Sequence, residues 1–171
     1  RRHTRFRNVT GVQTCALPIL ITLTQANNDF TGAVTLGNSG ANTASVIDKN
    51  SIVLGASTVG GALNVTGSAG GVTINSNVTS GGAQTYTGGV TLAGNAVLNA
   101  GAANAITLGV VTGAGKNLTT TGLTSITSTS TDIGALTVNQ TLTTTGNIGA
   151  LSARDRKSTR LNSSHVSESR M

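Results

Sequence analysis

Short apolar-x-apolar triplets recur along the chain, separated by turns built from Gly, Asn and Ser. They are densest in VTINSNVTSGGAQTYTGGVTLAGNAVL (72–98), which holds Val72-Thr-Ile74, Val90-Thr-Leu92 and Ala96-Val-Leu98. Alternation with a period of two predicts strands that bury one face, and the Gly-Gly and Asn breaks predict turns. Val72 and Val90 open the same local pattern, and Val34 and Ile52 repeat it at the same interval. That interval matches one turn of a β-solenoid, whose coils stack strand upon strand. Leu63-Asn-Val65 precedes Val72 by half the interval, which predicts two similar faces per coil.

The same signal runs from Leu20 onwards. Leu20–Thr24 reads as a strand, 27–29 as a turn, Phe30–Leu36 as a strand and Gly37–Gly40 as a turn. Ser45–Asp48 and Ile52–Leu54 follow, and Ile106-Thr-Leu108 comes a little less than one interval after Val90. Leu136-Thr-Val138 closes the series after a less regular Thr/Ser stretch over 119–131. At about 18–20 residues per coil, residues 20–153 make about seven coils and a rod about 30–35 Å long. The predicted fold class is therefore all-β, a parallel β-helix, with segment 20–153 flanked by basic tails at 1–19 and 154–171 that share no period with it. A flexible linker would lack the triplets, and a β-sandwich would need longer strands with larger side chains.

Composition agrees with a narrow interior. Phe6, Phe30 and Tyr86 are the only aromatic residues in 171, there is no Trp, and 23 residues are Gly. Val, Ile, Leu, Ala and Thr fill a thin core, and Gly, Thr and Asn all disfavour helix interiors. Stacked parallel coils hydrogen-bond each backbone above and below, and Asn at turns tolerates left-handed geometry and bonds neighbouring backbone.

Charge changes the picture less than its total implies. The net +6 divides into +4 over 1–18, +3 over 154–171 and −1 over 19–153, where only Lys49 and Lys116 stand against Asp29, Asp48 and Asp132. The basic charge lies outside the patterned region, so nucleic acid is not the expected partner. Cys15 is the single cysteine, so the patterned region has no disulfide and no cysteine-ligated metal. Such a chain suits passage across an outer membrane in an unfolded state.

Residues 1–19 resemble a signal peptide only in having arginines before an apolar run. Pro18 interrupts that run, no small-x-small site follows, and Val12-Gln-Thr-Cys15 lacks the small residue of a lipoprotein site. The run is too short to span a bilayer. Thr10–Ile19 (TGVQTCALPI) and Arg156–Met171 (RKSTRLNSSHVSESRM) resemble translated sequencing-adapter read-through. On that resemblance both tails are non-native and the patterned region is an internal piece of a longer chain; the alternative is that 1–19 and 154–171 are ordinary disordered basic tails.

Candidate chemistry is sparse. Between 19 and 153 there is no His, Arg, Glu or Cys. Polysaccharide-cleaving β-helices need clustered carboxylates, or a carboxylate beside Arg or Lys. Asp29 and Asp48 could stack one coil apart, but turn capping accounts for both, and Asp132 lies several coils further on. A catalytic triad would have to borrow His3 or His165 from the tails. The expectation is no enzyme, no catalytic, cofactor-binding or metal site, and no cofactor. The Gly pairs at 60–61, 70–71, 81–82 and 88–89 lack the following Asp of a calcium-binding repeat. Gly113-Ala-Gly-Lys116 approaches a phosphate loop, but Val110 and Asn117 break the motif, and a turn is expected instead. Thr-x-Thr steps at 22/24, 85/87, 119/121 and 141/143 are too unevenly spaced for an ice-binding plane. Asn-x-Thr sequons stand at Asn64, Asn77, Asn117 and Asn139, as chance provides in a chain rich in both residues.

Three runs carry a family resemblance: Asn28–Leu36, Leu54–Thr66 and GGAQTYTGGVTL over 81–92. They resemble repeat regions of large bacterial surface adhesins, of the filamentous-haemagglutinin-like, two-partner-secreted type and of autotransporter passengers. The resemblance covers about 20–153. It implies a right-handed parallel β-helix stalk, exported through an outer-membrane translocator and displayed outside a Gram-negative cell. The implied partners are neighbouring coils of a longer chain, that translocator, and an unidentified ligand on a host or bacterial surface. The alternatives are a surface-layer or phage-fibre β-solenoid without adhesive role, and an ice-binding solenoid. Cut from its neighbours, the 20–153 segment is expected to fray or self-associate at its open ends.

Overall fold

A computed structural model describes residues 18–155. The tails expected to be non-native or disordered, with Cys15, His3, His165 and both adapter-like stretches, lie outside the described residues apart from 18–19 and 154–155. Every named element is a β-strand.

The first coil contains β1 (Ile21–Leu23) and β2 (Ala33–Val34). The next three each carry three strands: β3 (Ala44–Asp48), β4 (Ser51–Leu54) and β5 (Ser57–Val59); β6 (Leu63–Gly67), β7 (Gly71–Ile74) and β8 (Val78–Ser80); β9 (Gln84–Thr87), β10 (Val90–Leu92) and β11 (Ala96–Asn99). The fifth has β12 (Ala105–Leu108), β13 (Val111–Thr112) and β14 (Leu118–Thr121). β15 (Leu123–Ile126), β16 (Ser130–Val138), β17 (Leu142–Thr144) and β18 (Ile148–Asp155) complete the stack.

All pairings are parallel and connect corresponding strands of successive coils. Face A stacks β1-β3-β6-β9-β12-β15-β17. Face B stacks β2-β4-β7-β10-β13 and face C stacks β5-β8-β11-β14, and the long strand β16 joins both. Each coil thus has three faces, where the half-interval spacing predicted two. Seven levels on face A correspond to about six turns rather than seven coils, and six steps of about 4.8 Å give about 29 Å.

The register confirms one expected repeat and redraws two. Val90 and Leu92 stack on Val72 and Ile74, as their spacing predicts. Val34, however, pairs with Leu54 rather than Ile52, which leaves Leu36 to turn the next corner with its N–H donating to Ser57 Oγ at 3.0 Å. Ile106 and Leu108 belong to face A, where Ile106 stacks on Gln84, and the level after Val90 on face B is Val111.

The interior is a continuous apolar column, in which Ile52, Leu54, Leu63, Ile74, Leu92, Leu98, Ile106, Leu108, Leu118 and Ile126 are all fully buried. Burial alternates along the strands, as in Leu63–Gly67 and Val90–Leu92, so one face of each strand makes the core and the other faces outward. Polar groups that point inward close corners. Ser130 Oγ accepts from Val111 N–H at 3.1 Å, and Thr124 Oγ1 donates to Thr120 Oγ1 at 2.8 Å. At the bend of β16 between faces B and C, Asp132 adopts φ 54°, a left-handed geometry that Asp tolerates better than most residues.

Candidate functional site

The three aspartates were the candidates for chemistry, and the fold separates their roles. Asp48 is fully buried at the corner between faces A and B. Its Oδ2 accepts from Phe30 N–H of the preceding coil at 2.6 Å and its Oδ1 from Asn50 N–H at 2.7 Å. Both carboxylate oxygens are committed to backbone, so the residue caps its own turn and fastens it to the preceding level. Asp29 is exposed, and pairs across coils with Lys49 Nζ at 2.8 Å and Asn50 Nδ2 at 3.1 Å. The Lys49 contact holds the Asp29 carboxyl below the usual carboxylate range. Water screens a pair this open, so its contribution to stability is small.

These two geometries give opposite expectations. Asp48→Ala leaves two backbone donors without their acceptor and lowers stability by about 2–3 kcal/mol. Asp29→Ala leaves the melting curve nearly unchanged. Urea titration of the two variants checks this, and a wild-type midpoint for Asp48→Ala would remove the capping role.

Gly113–Lys116 forms the turn from face B to face C. Gly115 N–H donates to Asp132 O at 2.7 Å and Lys116 N–H to Gly113 O at 2.9 Å, so these two amides serve the coil rather than a phosphate. Among the described residues no group of three or more His, Cys, Asp or Glu side chains comes together. No helix among them is long and apolar enough to cross a membrane, which says nothing of a β-barrel.

Asparagine side chains tie turns between levels. Asn38 Nδ2 donates to Asn42 O at 3.0 Å and its Oδ1 accepts from Gly60 N–H at 2.9 Å. Asn77 Oδ1 accepts from Val97 N–H, and Asn95 Oδ1 from Asn117 N–H. Two of the four sequon residues thus have a backbone or side-chain atom in this stitching, and Asn139 joins them by donating to Thr121 Oγ1 at 3.0 Å. Asn64 projects from face A and donates to Ser45 Oγ at 3.2 Å.

The outward columns were not legible in the sequence. On face A one column runs Thr22, Ser45, Asn64, Thr85, Thr107, Ser125, Thr143, with a hydroxyl or amide at every level. Its members fall at uneven intervals along the chain, yet they stack because the turns absorb the difference. Thr22, Thr85, Thr87 and Thr143 thus share one face, whereas Thr119 and Thr121 lie on face C. Face B carries Ala33, Val53, Thr73, Thr91, Thr112 and Thr131 in the same way. The uneven chain spacing was therefore no guide to the spacing of these side chains in space.

Residues 8–37 match the profile of a family described as "Repeats of unknown function (DUF5649)". Of that stretch, 18–37 build the first coil with β1 and β2. No curated protein and no solved structure matches the chain. The match and the stacked coils together support a repeat region with a β-solenoid fold, and a structural repeat scaffold as its role.

Proposed function

We propose that this chain is a segment of the stalk of a secreted bacterial surface adhesin, displayed outside a Gram-negative cell and acting as a scaffold rather than a catalyst. The observation that carries the reading is the uninterrupted parallel stack, in which each coil is hydrogen-bonded to the next and shows water a column of Thr, Ser and Asn. Such a structure extends by adding coils without changing its cross-section, which supplies reach. Asp29 and Asp48 are engaged with Lys49 and with backbone at one corner, as a structural role requires. Adhesion in particular rests on the resemblance of 20–153 to filamentous-haemagglutinin-like and autotransporter repeats, and export through an outer-membrane translocator follows from the same analogy.

Labelling of intact source cells with an antiserum raised against the purified chain, together with the genes flanking its own, tests the reading. Surface labelling and a translocator domain or partner transporter gene are the expected results. Labelling only after lysis, or a neighbourhood of capsid and tail modules, would replace it with a phage-fibre or other non-adhesive solenoid. A water-ordering, ice-binding face has one observation in favour, the unbroken column from Thr22 to Thr143. The adjoining column is interrupted by Ile47 and Gly109, so the stalk reading is preferred.

A further inference from the structure

A trypsin-like protease needs a cation just before the bond it cuts. Between 19 and 153 the chain has no Arg and only two Lys, which leaves such an enzyme two targets, the bonds from Lys49 to Asn50 and from Lys116 to Asn117. Both lie at exposed corners between strands, where nicking of folded chains concentrates. Residues 114–117 are exposed without a break. Positive φ at Ala114 (49°) and Gly115 (74°), with Lys116 N–H donating to Gly113 O at 2.9 Å, marks a type I′ turn that carries a strained alanine. By exposure and strain alone, the Lys116 bond is the place to cut.

A protease takes its substrate as an extended segment, pairing with main-chain N–H and C=O groups on either side of the scissile bond. Those groups are occupied here. Lys116 O accepts from Gly134 N–H of the following coil at 2.9 Å, and Asn117 N–H donates to Asn95 Oδ1 of the preceding coil at 2.9 Å. Asn117 O accepts in turn from Ala96 N–H at 3.0 Å. The bond is thus pinned from both neighbouring levels. The other target is held in the same way. Asn50 N–H donates to the buried Asp48 Oδ1 at 2.7 Å, and Asn50 O accepts from Gly70 N–H of the following coil at 3.0 Å. Lys49 N–H donates to Asn28 O of the preceding coil at 2.9 Å. Its Nζ, the group a protease pocket must capture, already rests on Asp29 Oδ2 at 2.8 Å.

We propose that both lysine sites are locked against trypsin-like proteases by hydrogen bonds to the neighbouring coils, and that Asn95 is the latch residue at Lys116. Cleavage has to wait for a coil to open, and its rate follows the population of that open form. One side-chain acceptor decides whether Asn117 N–H is held, so the Lys116 lock can be loosened at a single position. Asn95 is exposed, and its loss empties no part of the core. The property goes beyond the stalk reading and does not rest on it, because the lock depends on the stacking of coils and not on where the rod is displayed.

Trypsin digestion of the full 171-residue chain, with the fragments followed by mass spectrometry, tests the proposal. Cleavage after Lys116 should be slower by about 1,000-fold or more than in a synthetic peptide of residues 110–122. Asn95→Ala should speed that cut about tenfold and leave the cut after Lys49 at the parent rate. Asn95→Asp, which keeps an oxygen acceptor in place, should restore the parent rate at Lys116. A parent chain cut after Lys116 within about tenfold of the peptide would overturn the lock. An Asn95→Ala chain cut no faster than the parent would remove the latch. So would equal acceleration at Lys49 and Lys116, which would mean a loss of global stability, or an Asn95→Asp chain cut as fast as Asn95→Ala, which would show that the missing bond is not the cause.

Discussion

Gly60→Ala is expected to destabilise the fold by about 3–5 kcal/mol, a large share of the roughly 5–15 kcal/mol that holds a domain folded. The reason is a column of glycines at the corner from face C to face A. A Cβ at Gly60 would run into the carbonyl oxygen of Gly40, and one at Gly81 would run into that of Gly60. The obstruction is backbone in both cases, so no side chain can swing aside. The corner also carries a bond between levels, with Gly60 N–H donating to Asn38 Oδ1 at 2.9 Å. Pushing the coils apart to admit a methyl group would stretch this bond and the adjoining Gly61 N–H to Asn42 O bond of 2.9 Å. Gly32→Ala is the matched control, because nothing lies within 4 Å of a Cβ there. That change should raise stability by about 0.4–1 kcal/mol through a stiffer unfolded chain. Chemical denaturation of the two variants separates the close approach from a general intolerance of glycine loss, since equal midpoints would refute it.

That glycine column shows what the sequence conveyed and what it did not. The pairs at Gly60-Gly61 and Gly81-Gly82 mark turns on composition alone, but which glycine faces the neighbouring coil depends on the stacking register. The register was legible where two coils have equal length, as from Val72 to Val90. It was misread where a turn lengthens: Val34 and Ile52 share a triplet pattern at the right interval, yet Val34 stacks on Leu54. All three faces use the same apolar-x-apolar signal, so spacing cannot tell Ile106 on face A from a further level of face B. Face C was the hardest to see, because its short strands bury Ser57 and Ser80, which read in a sequence as outward positions. The same ambiguity hid the outward columns, since Ser45, Asn64 and Ser125 join the threonines only once a whole coil of chain is folded into each step.

Above pH 10 the chain should lose about 1.4 kcal/mol of stability per pH unit through one residue, Tyr86. It is the only tyrosine in the sequence, and it is buried on face A with its hydroxyl donating to Gln84 Oε1 at 2.9 Å. Gln84 is fully buried too, and its Nε2 donates to Asn99 O at 2.9 Å, so the pair links face A to face C across the interior. Burial pushes the Tyr86 hydroxyl well above its ordinary pKa of about 10. The folded chain therefore keeps its proton at a pH where the unfolded chain releases it, and each further unit favours the unfolded state. The contribution is complete below pH 10 and falls away above it, reaching about 3 kcal/mol at pH 12. Phenolate absorbance should then rise together with the loss of β-sheet signal rather than before it. Tyr86→Phe should cost about 1–2 kcal/mol at neutral pH, because Gln84 Oε1 loses its donor inside the core, and should remove this slope while leaving every other titrating group in place. A tyrosine that titrates near pH 10 in a chain still fully folded would mean that Tyr86 reaches water, and the internal Tyr86–Gln84–Asn99 link would have to be abandoned.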